Sequence, residues 1–154
     1  QYLAHSISTQ VGRDFILWKG YCPIHVKMLP VDIMRKRELY KDAEVIVHPE
    51  CPPGVTELAD KVLSTEGMCN YIKASKAVEF IVGTEIGILH RMKKENPGKL
   101  FHPVSEQAIC PNMKRTTVEK VLWSLEEMGF AVAVPQDIMN RASACLQRMM
   151  NDQP

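Results

Sequence analysis

A β-branched apolar run, Val45-Ile46-Val47, stops abruptly at His48-Pro49-Glu50-Cys51-Pro52. Helical spacing then takes over at Val55, Leu58, Ala59, Val62 and Leu63, which predicts a strand followed by a helix over 53–63. The same change of period recurs. Val78 to Val82 reads as a strand ended by Gly83-Thr84-Glu85, and Ile86, Leu89 and Met92 then mark a helix to Asn96. Further strands are predicted at Asp14 to Trp18 and, more weakly, at Lys99 to His102, and a short helix starts at Pro30. Helices between strands call for crossover connections, and crossovers join parallel strands. The predicted fold class is α/β, with a parallel sheet covered on both faces in a three-layer αβα unit.

A chain of 154 residues, 45% hydrophobic and 24% charged, can bury a core of that kind. Its net charge of +1 is spread along the sequence, which argues against a nucleic-acid or membrane footprint and for a small-molecule partner. Neither a run of eighteen apolar residues nor a signal-peptide pattern over residues 1–20 is present, so a cytoplasmic location is expected. The five cysteines have no paired spacing and suit reduced thiols or metal ligands better than disulfides. Tyr2, Leu3 and Ile7 are apolar without a preceding cap, so residues 1–10 are expected to be the end of a helix and the chain to begin in mid-domain.

Ligands of open parallel sheets bind beyond the carboxyl ends of the strands, where His48, Glu50 and Cys51 are expected. These side chains are either a satisfied loop pair or proton-transfer groups. Ser64 and Thr65 precede a helical segment to Ala74, and they serve either to cap it or to complete an anion site at its amino end. Cys-Pro occurs at Cys22-Pro23, Cys51-Pro52 and Cys110-Pro111, and proline suits the first turn of a helix. Thiolates gathered from separate loops would hold an iron–sulfur cluster or zinc; otherwise the three are unrelated small side chains. Near the end of the sequence, Val118, Val121, Leu122, Leu125 and Met128 predict an amphipathic helix stopped by Gly129. Cys145 falls in the apolar stripe of a last helix (Ile138, Ala142, Leu146, Met149) and is assigned to the core.

Five ordered motifs then become recognisable. They are Trp18-x-Gly20-Tyr21-Cys22-Pro23-x-His25, Val45 to Cys51, Ser64-Thr65-x-Gly67-Met68, Gly83-Thr84-Glu85-x-Gly87 and Ser105-Glu106-Gln107-Ala108-x-Cys110-Pro111-Asn112-Met113. In that order they resemble the carboxyl-terminal half of quinolinate synthase. The resemblance implies α/β units arranged about a pseudo-threefold axis, with 1–25 ending one domain, 26–111 a complete domain and 112–154 helices that return to a first domain. It implies a [4Fe–4S] cluster held by Cys22, Cys110 and a third cysteine upstream of Gln1, with Cys51 a neighbour rather than a ligand. It also implies condensation of iminoaspartate, supplied by L-aspartate oxidase, with dihydroxyacetone phosphate to give quinolinate for NAD synthesis. His48 and Glu50 become the catalytic acid/base candidates, and Ser64 and Thr65 the substrate-binding ones. Glu66 departs from the pattern, since a smaller residue is expected beside an anionic substrate. The competing readings are a non-catalytic α/β ligand-binding module and a zinc protein using Cys22, Cys51 and His48 or His25.

Overall fold

In the computed structural model, which describes residues 1–151, four parallel strands form one sheet. In chain order the elements are α1 (Tyr2–Val11), α2 (Pro30–Leu39), β1 (Glu44–Val47), α3 (Pro53–Thr56), β2 (Lys61–Val62), α4 (Thr65–Ala74), β3 (Glu79–Gly83), α5 (Ile88–Glu95), β4 (Leu100–Pro103), α6 (Val118–Glu126) and α7 (Gln136–Asn151). The strands lie in the order β2-β1-β3-β4. From β1 the chain goes to one side to make β2, then crosses back to make β3 on the other side. The crevice outside the carboxyl ends of β1 and β3 is therefore a topological switch point, where sheets of this type bind ligands.

The period of two along each strand decides which residues form which layer. Val45, Val47 and Ile81 face one way and pack with Ile33 of α2 and Val55 of α3. Ile46, Phe80 and Val82 face the other way and pack with Met68 and Ile72 of α4 and with Leu89 and Met92 of α5. Both faces are thus buried, which is why the strands read as continuous apolar runs. Removing any one of these valines or isoleucines from water contributes about 1.5–3 kcal/mol.

Helix ends follow local chemistry. Pro30 opens α2, and Asp32 reaches back to accept the N–H of Leu29 at 3.1 Å. Ser64 caps α4 by accepting the N–H of Gly67 at 3.1 Å. At the other end of α4 the Lys99 ammonium donates to the carbonyls of Ile72 and Ser75, the favourable placement for a cation.

The structure corrects the sequence reading in four places. Asp14 to Trp18 is not a strand: among the described residues no neighbour pairs with its backbone, and Ile16 and Trp18 are 105% and 86% exposed. The helix expected over 53–63 is a single turn, and Val62 belongs to β2. There the Asp60 N–H donates to the Val45 carbonyl at 2.8 Å and the Leu63 N–H to that of Val47 at 3.0 Å, so sheet bonds replace helical ones. Gly129 is not the residue that turns the chain after α6. That helix ends at Glu126, and Met128 and Phe130 take the left-handed backbone with φ of 50° and 61°. Finally, Cys145 is exposed rather than core, since α7 has no buried residue for its stripe to pack among.

Residues 1–111 and 112–154 form two compact units, and the sheet lies wholly in the first. The second contains α6 and α7. Val118, Leu125, Leu146 and Met149 are all exposed there. Among the described residues no helix is long and apolar enough to cross a membrane.

Candidate functional site

The carboxyl ends of β1 and β3 are locked in register, with Val47 opposite Gly83. The chain leaving β1 continues the ladder for one more bond, from the His48 N–H to the Gly83 carbonyl at 2.9 Å, and then turns back as the Cys51 N–H donates to the His48 carbonyl at 3.0 Å. This turn presents His48 and Glu50 at the rim. The Glu50 N–H donates to His48 Nδ1 at 3.3 Å, so the neutral ring carries its proton on Nε2.

A second imidazole lies beside the first. His25 belongs to the 3-10 turn His25–Lys27 and is buried. Its ring stacks on that of His48, with centroids 4.5 Å apart and planes 16° from parallel. His25 Nε2 is hydrogen-bonded to Thr84 Oγ1 at 3.0 Å, which ties the turn to the end of β3. A Glu50 carboxylate oxygen lies 3.2 Å from His25 Nδ1 and 3.5 Å from His48 Nδ1. The His25 contact is an ion-pair distance outside hydrogen-bonding geometry, so Nδ1 takes no hydrogen bond among the described residues.

Electrostatics keep both rings neutral. Burial lowers the pKa of His48, against an opposing pull from Glu50. Burial, and next the charge that His48 would carry, lower that of His25, again against Glu50 and, more weakly, Glu85. Desolvation dominates in each case.

Cys22 and Cys110 reach this end of the sheet by different routes. The Cys22 carbonyl accepts the N–H of Val26 at 3.1 Å and so starts the turn that carries His25. Its Sγ lies within 4.8 Å of ligand atoms of both His25 and Glu50. Cys110 is held through its N–H, which donates at 3.2 Å to the Glu85 carboxylate just beyond β3; the other oxygen of that carboxylate accepts the N–H of Gly87 at 2.7 Å. Both cysteines are half-buried and pack against the same apolar cluster. Both thiols thus lie on separate loops at the carboxyl end of the sheet.

Cys51 is different. Its thiol is buried against Met28 and the Gly83 carbonyl, burial pushes it up to about 12, and it lies outside the one close group of possible metal ligands among the described residues, Cys22, His25 and Glu50. Cys69 is likewise buried, among the residues of α4. Ser64 and Thr65 are exposed at the amino end of α4, with the Ser64 oxygen engaged as its cap. Glu66 points outward: its carboxylate pairs with the Arg91 guanidinium at 2.7 and 3.2 Å, and those hydrogen bonds and that charge lower its pKa. An open cleft of about 340 Å³ lies beside Cys22 and Glu50, with Tyr2, Leu3, Trp18 and Tyr21 in its wall.

Thr84 and Glu85 were legible as the punctuation that ends a strand and as part of one motif, without a role of their own. What marks them in the structure is that both are buried polar side chains, at 3% and 8% exposure, directly after β3. His25 entered the sequence reading as the end of a motif and as an alternative zinc ligand, yet it touches both Glu50 and Thr84.

The family model described as "Quinolinate synthetase A protein" matches residues 1–151. A quinolinate synthase of Dehalococcoides mccartyi is 49% identical over 150 residues, which is 97% of this chain and 50% of that protein. Those of Thermodesulfovibrio yellowstonii and Methanosarcina barkeri are 49% and 45% identical over 138 and 148 residues, or 90% and 96% of this chain and 46% and 49% of theirs. The chain thus spans about half the length of the curated relatives it matches.

Proposed function

The chain belongs to the quinolinate synthase family, and from that premise we propose that the enzyme it forms part of condenses iminoaspartate with dihydroxyacetone phosphate to quinolinate in the cytoplasm, L-aspartate oxidase supplying the iminoaspartate. The observation that carries the reading is the Glu50 carboxylate set beside two stacked imidazoles, 3.2 and 3.5 Å from their Nδ1 atoms, on the rim of a topological switch point.

Forming an imine, shifting its double bond and expelling water each move a proton, and a half-buried carboxylate beside two neutral imidazoles is suited to accept and return it. Glu50 takes the proton in this reading, and His48 Nε2 carries one that can be donated. The Thr84 bond holds the His25 ring, which in turn fixes the plane of His48 by stacking. Burial keeps both rings uncharged near neutral pH, so each can take up or hand on a proton as a neutral imidazole. The outward pairing of Glu66 with Arg91 leaves the amino end of α4, with Ser64 and Thr65, free of an opposing carboxylate for a substrate anion.

The [4Fe–4S] cluster of this reading would be held by Cys22, Cys110 and a third cysteine outside residues 1–154, and would supply a Lewis-acid iron that eases loss of water. The test is made on the complete enzyme containing this chain, prepared anaerobically. Cys22→Ser and Cys110→Ser should each lose iron and quinolinate formation together, whereas full iron and sulfide in either variant would remove that cysteine from the ligand set.

A further inference from the structure

His25 poses a problem that the proposed reaction does not solve. Nε2 is held by Thr84 Oγ1, while the buried Nδ1 has no hydrogen-bond partner among the described residues, although a Glu50 carboxylate oxygen lies 3.2 Å away. The side chain is more than nine-tenths buried, at 8% exposure, and Nδ1 is aimed at Glu50 and Cys22. A metal ion between the imidazole nitrogen and the carboxylate would give Nδ1 the partner it lacks.

We propose that Cys22 Sγ, His25 Nδ1 and the Glu50 carboxylate form a binding site for one zinc ion, filled when the cluster is absent. The ligand types are those zinc prefers, and three protein ligands leave a fourth position for water, as in open tetrahedral sites. Nitrogen and oxygen ligands on a tetrahedral zinc lie roughly 3.3 Å apart. The His25 and Glu50 atoms are already 3.2 Å apart, and the Cys22 sulfur, within 4.8 Å of both, closes the site by a side-chain rotation. The outer contact is also in place. A metal-bound histidine gives its other N–H to a fixed acceptor, and Thr84 Oγ1 is that acceptor at 3.0 Å. Binding releases the Cys22 thiol proton as the sulfur–zinc bond forms. The site itself does not depend on the cluster reading. Its consequence does: if Cys22 is a cluster ligand, bound zinc and a complete cluster exclude each other.

The test is calorimetric titration of zinc chloride into the reduced, chelator-treated 154-residue chain under anaerobic conditions. One ion per chain should bind, and Cys22→Ser and His25→Gln should each abolish binding. Thr84→Val, which removes only the outer acceptor, should weaken it about ten- to a hundredfold with an unchanged circular dichroism spectrum. Cobalt in place of zinc should show a thiolate charge-transfer band that vanishes in Cys22→Ser. Absence of binding, or binding undiminished in His25→Gln or in folded Thr84→Val, overturns the site. Cys110→Ser separates the two readings: it should keep zinc in this chain while losing iron in the complete enzyme, and zinc lost there would place the ion elsewhere.

Discussion

Replacing Gly83 by alanine tests how the fold builds the rim. The new methyl would lie 2.8 Å from Val47 Cγ1, 3.2 Å from Val47 Cβ and 3.4 Å from Val104 Cγ2. Val47 is fully buried and β-branched, with few rotamers to escape into, and Val104 is 3% exposed. Either β1 and β3 separate by a few tenths of an ångström or Val47 leaves its rotamer, and overpacking of this kind costs about 1–3 kcal/mol. With a urea dependence of about 1.5 kcal/mol per molar, the midpoint should fall by about 0.7–2 M. Because the Gly83 carbonyl accepts the His48 N–H and Thr84 comes next, the strain reaches the site as well. Gly98→Ala, with nothing within 4 Å of its added methyl, is the control and should not lower the midpoint. Adding Val47→Ala to Gly83→Ala should give less destabilisation than the two single costs together, since the clashing methyl is gone. A midpoint unchanged in Gly83→Ala, or strict additivity with Val47→Ala, would refute the reasoning.

Asp60 accepts the buried Val45 N–H at 2.7 Å and pairs with Arg37 at 3.0 Å. Asp60→Ala should therefore lose about 1–3 kcal/mol by urea denaturation, with Asp60→Asn recovering part of it; equal losses in the two variants would contradict the bond to Val45. The lowered pKa values of His25 and His48 make stability depend on pH. Below about pH 6.5 the unfolded chain binds protons that the folded rings refuse, so stability falls with falling pH, by at most about 1.4 kcal/mol per unit for each histidine, until the folded rings titrate. Thermal melts from pH 7.5 to 5 should show this slope, reduced in His48→Gln; a slope unchanged in that variant would mean that other groups carry it.

The buried strands were legible because both their faces are covered. Val45 to Val47 and Phe80 to Val82 are continuous apolar runs for that reason, and the helices between them fix parallel pairing. Periodicity failed where two readings share one pattern. Val62 and Leu63 continue the helical spacing of Val55 and Leu58, yet Asp60 draws them into the sheet, a pairing between distant residues that no local window contains. Asp14 to Trp18 has strand composition but, among the described residues, pairs with no strand. Cys145 has the spacing of a core residue on a helix without a buried face. At the site, the strand ends placed His48 and Glu50 on the rim, but the partnership of His25 with Thr84 joins residues 59 positions apart and is invisible to spacing. The outward turn of Glu66 likewise depends on Arg91, one helix later.

The central claim, that Glu50 moves protons during the formation of quinolinate, is tested most directly in the complete enzyme containing this chain by Glu50→Gln. The amide keeps the shape and removes the titratable group. Measured anaerobically with iron and sulfide counted in the same preparation, the variant should retain its cluster while quinolinate turnover falls about a hundredfold. Near-normal turnover with the cluster intact would contradict the account and leave Glu50 a structural partner of the two histidines.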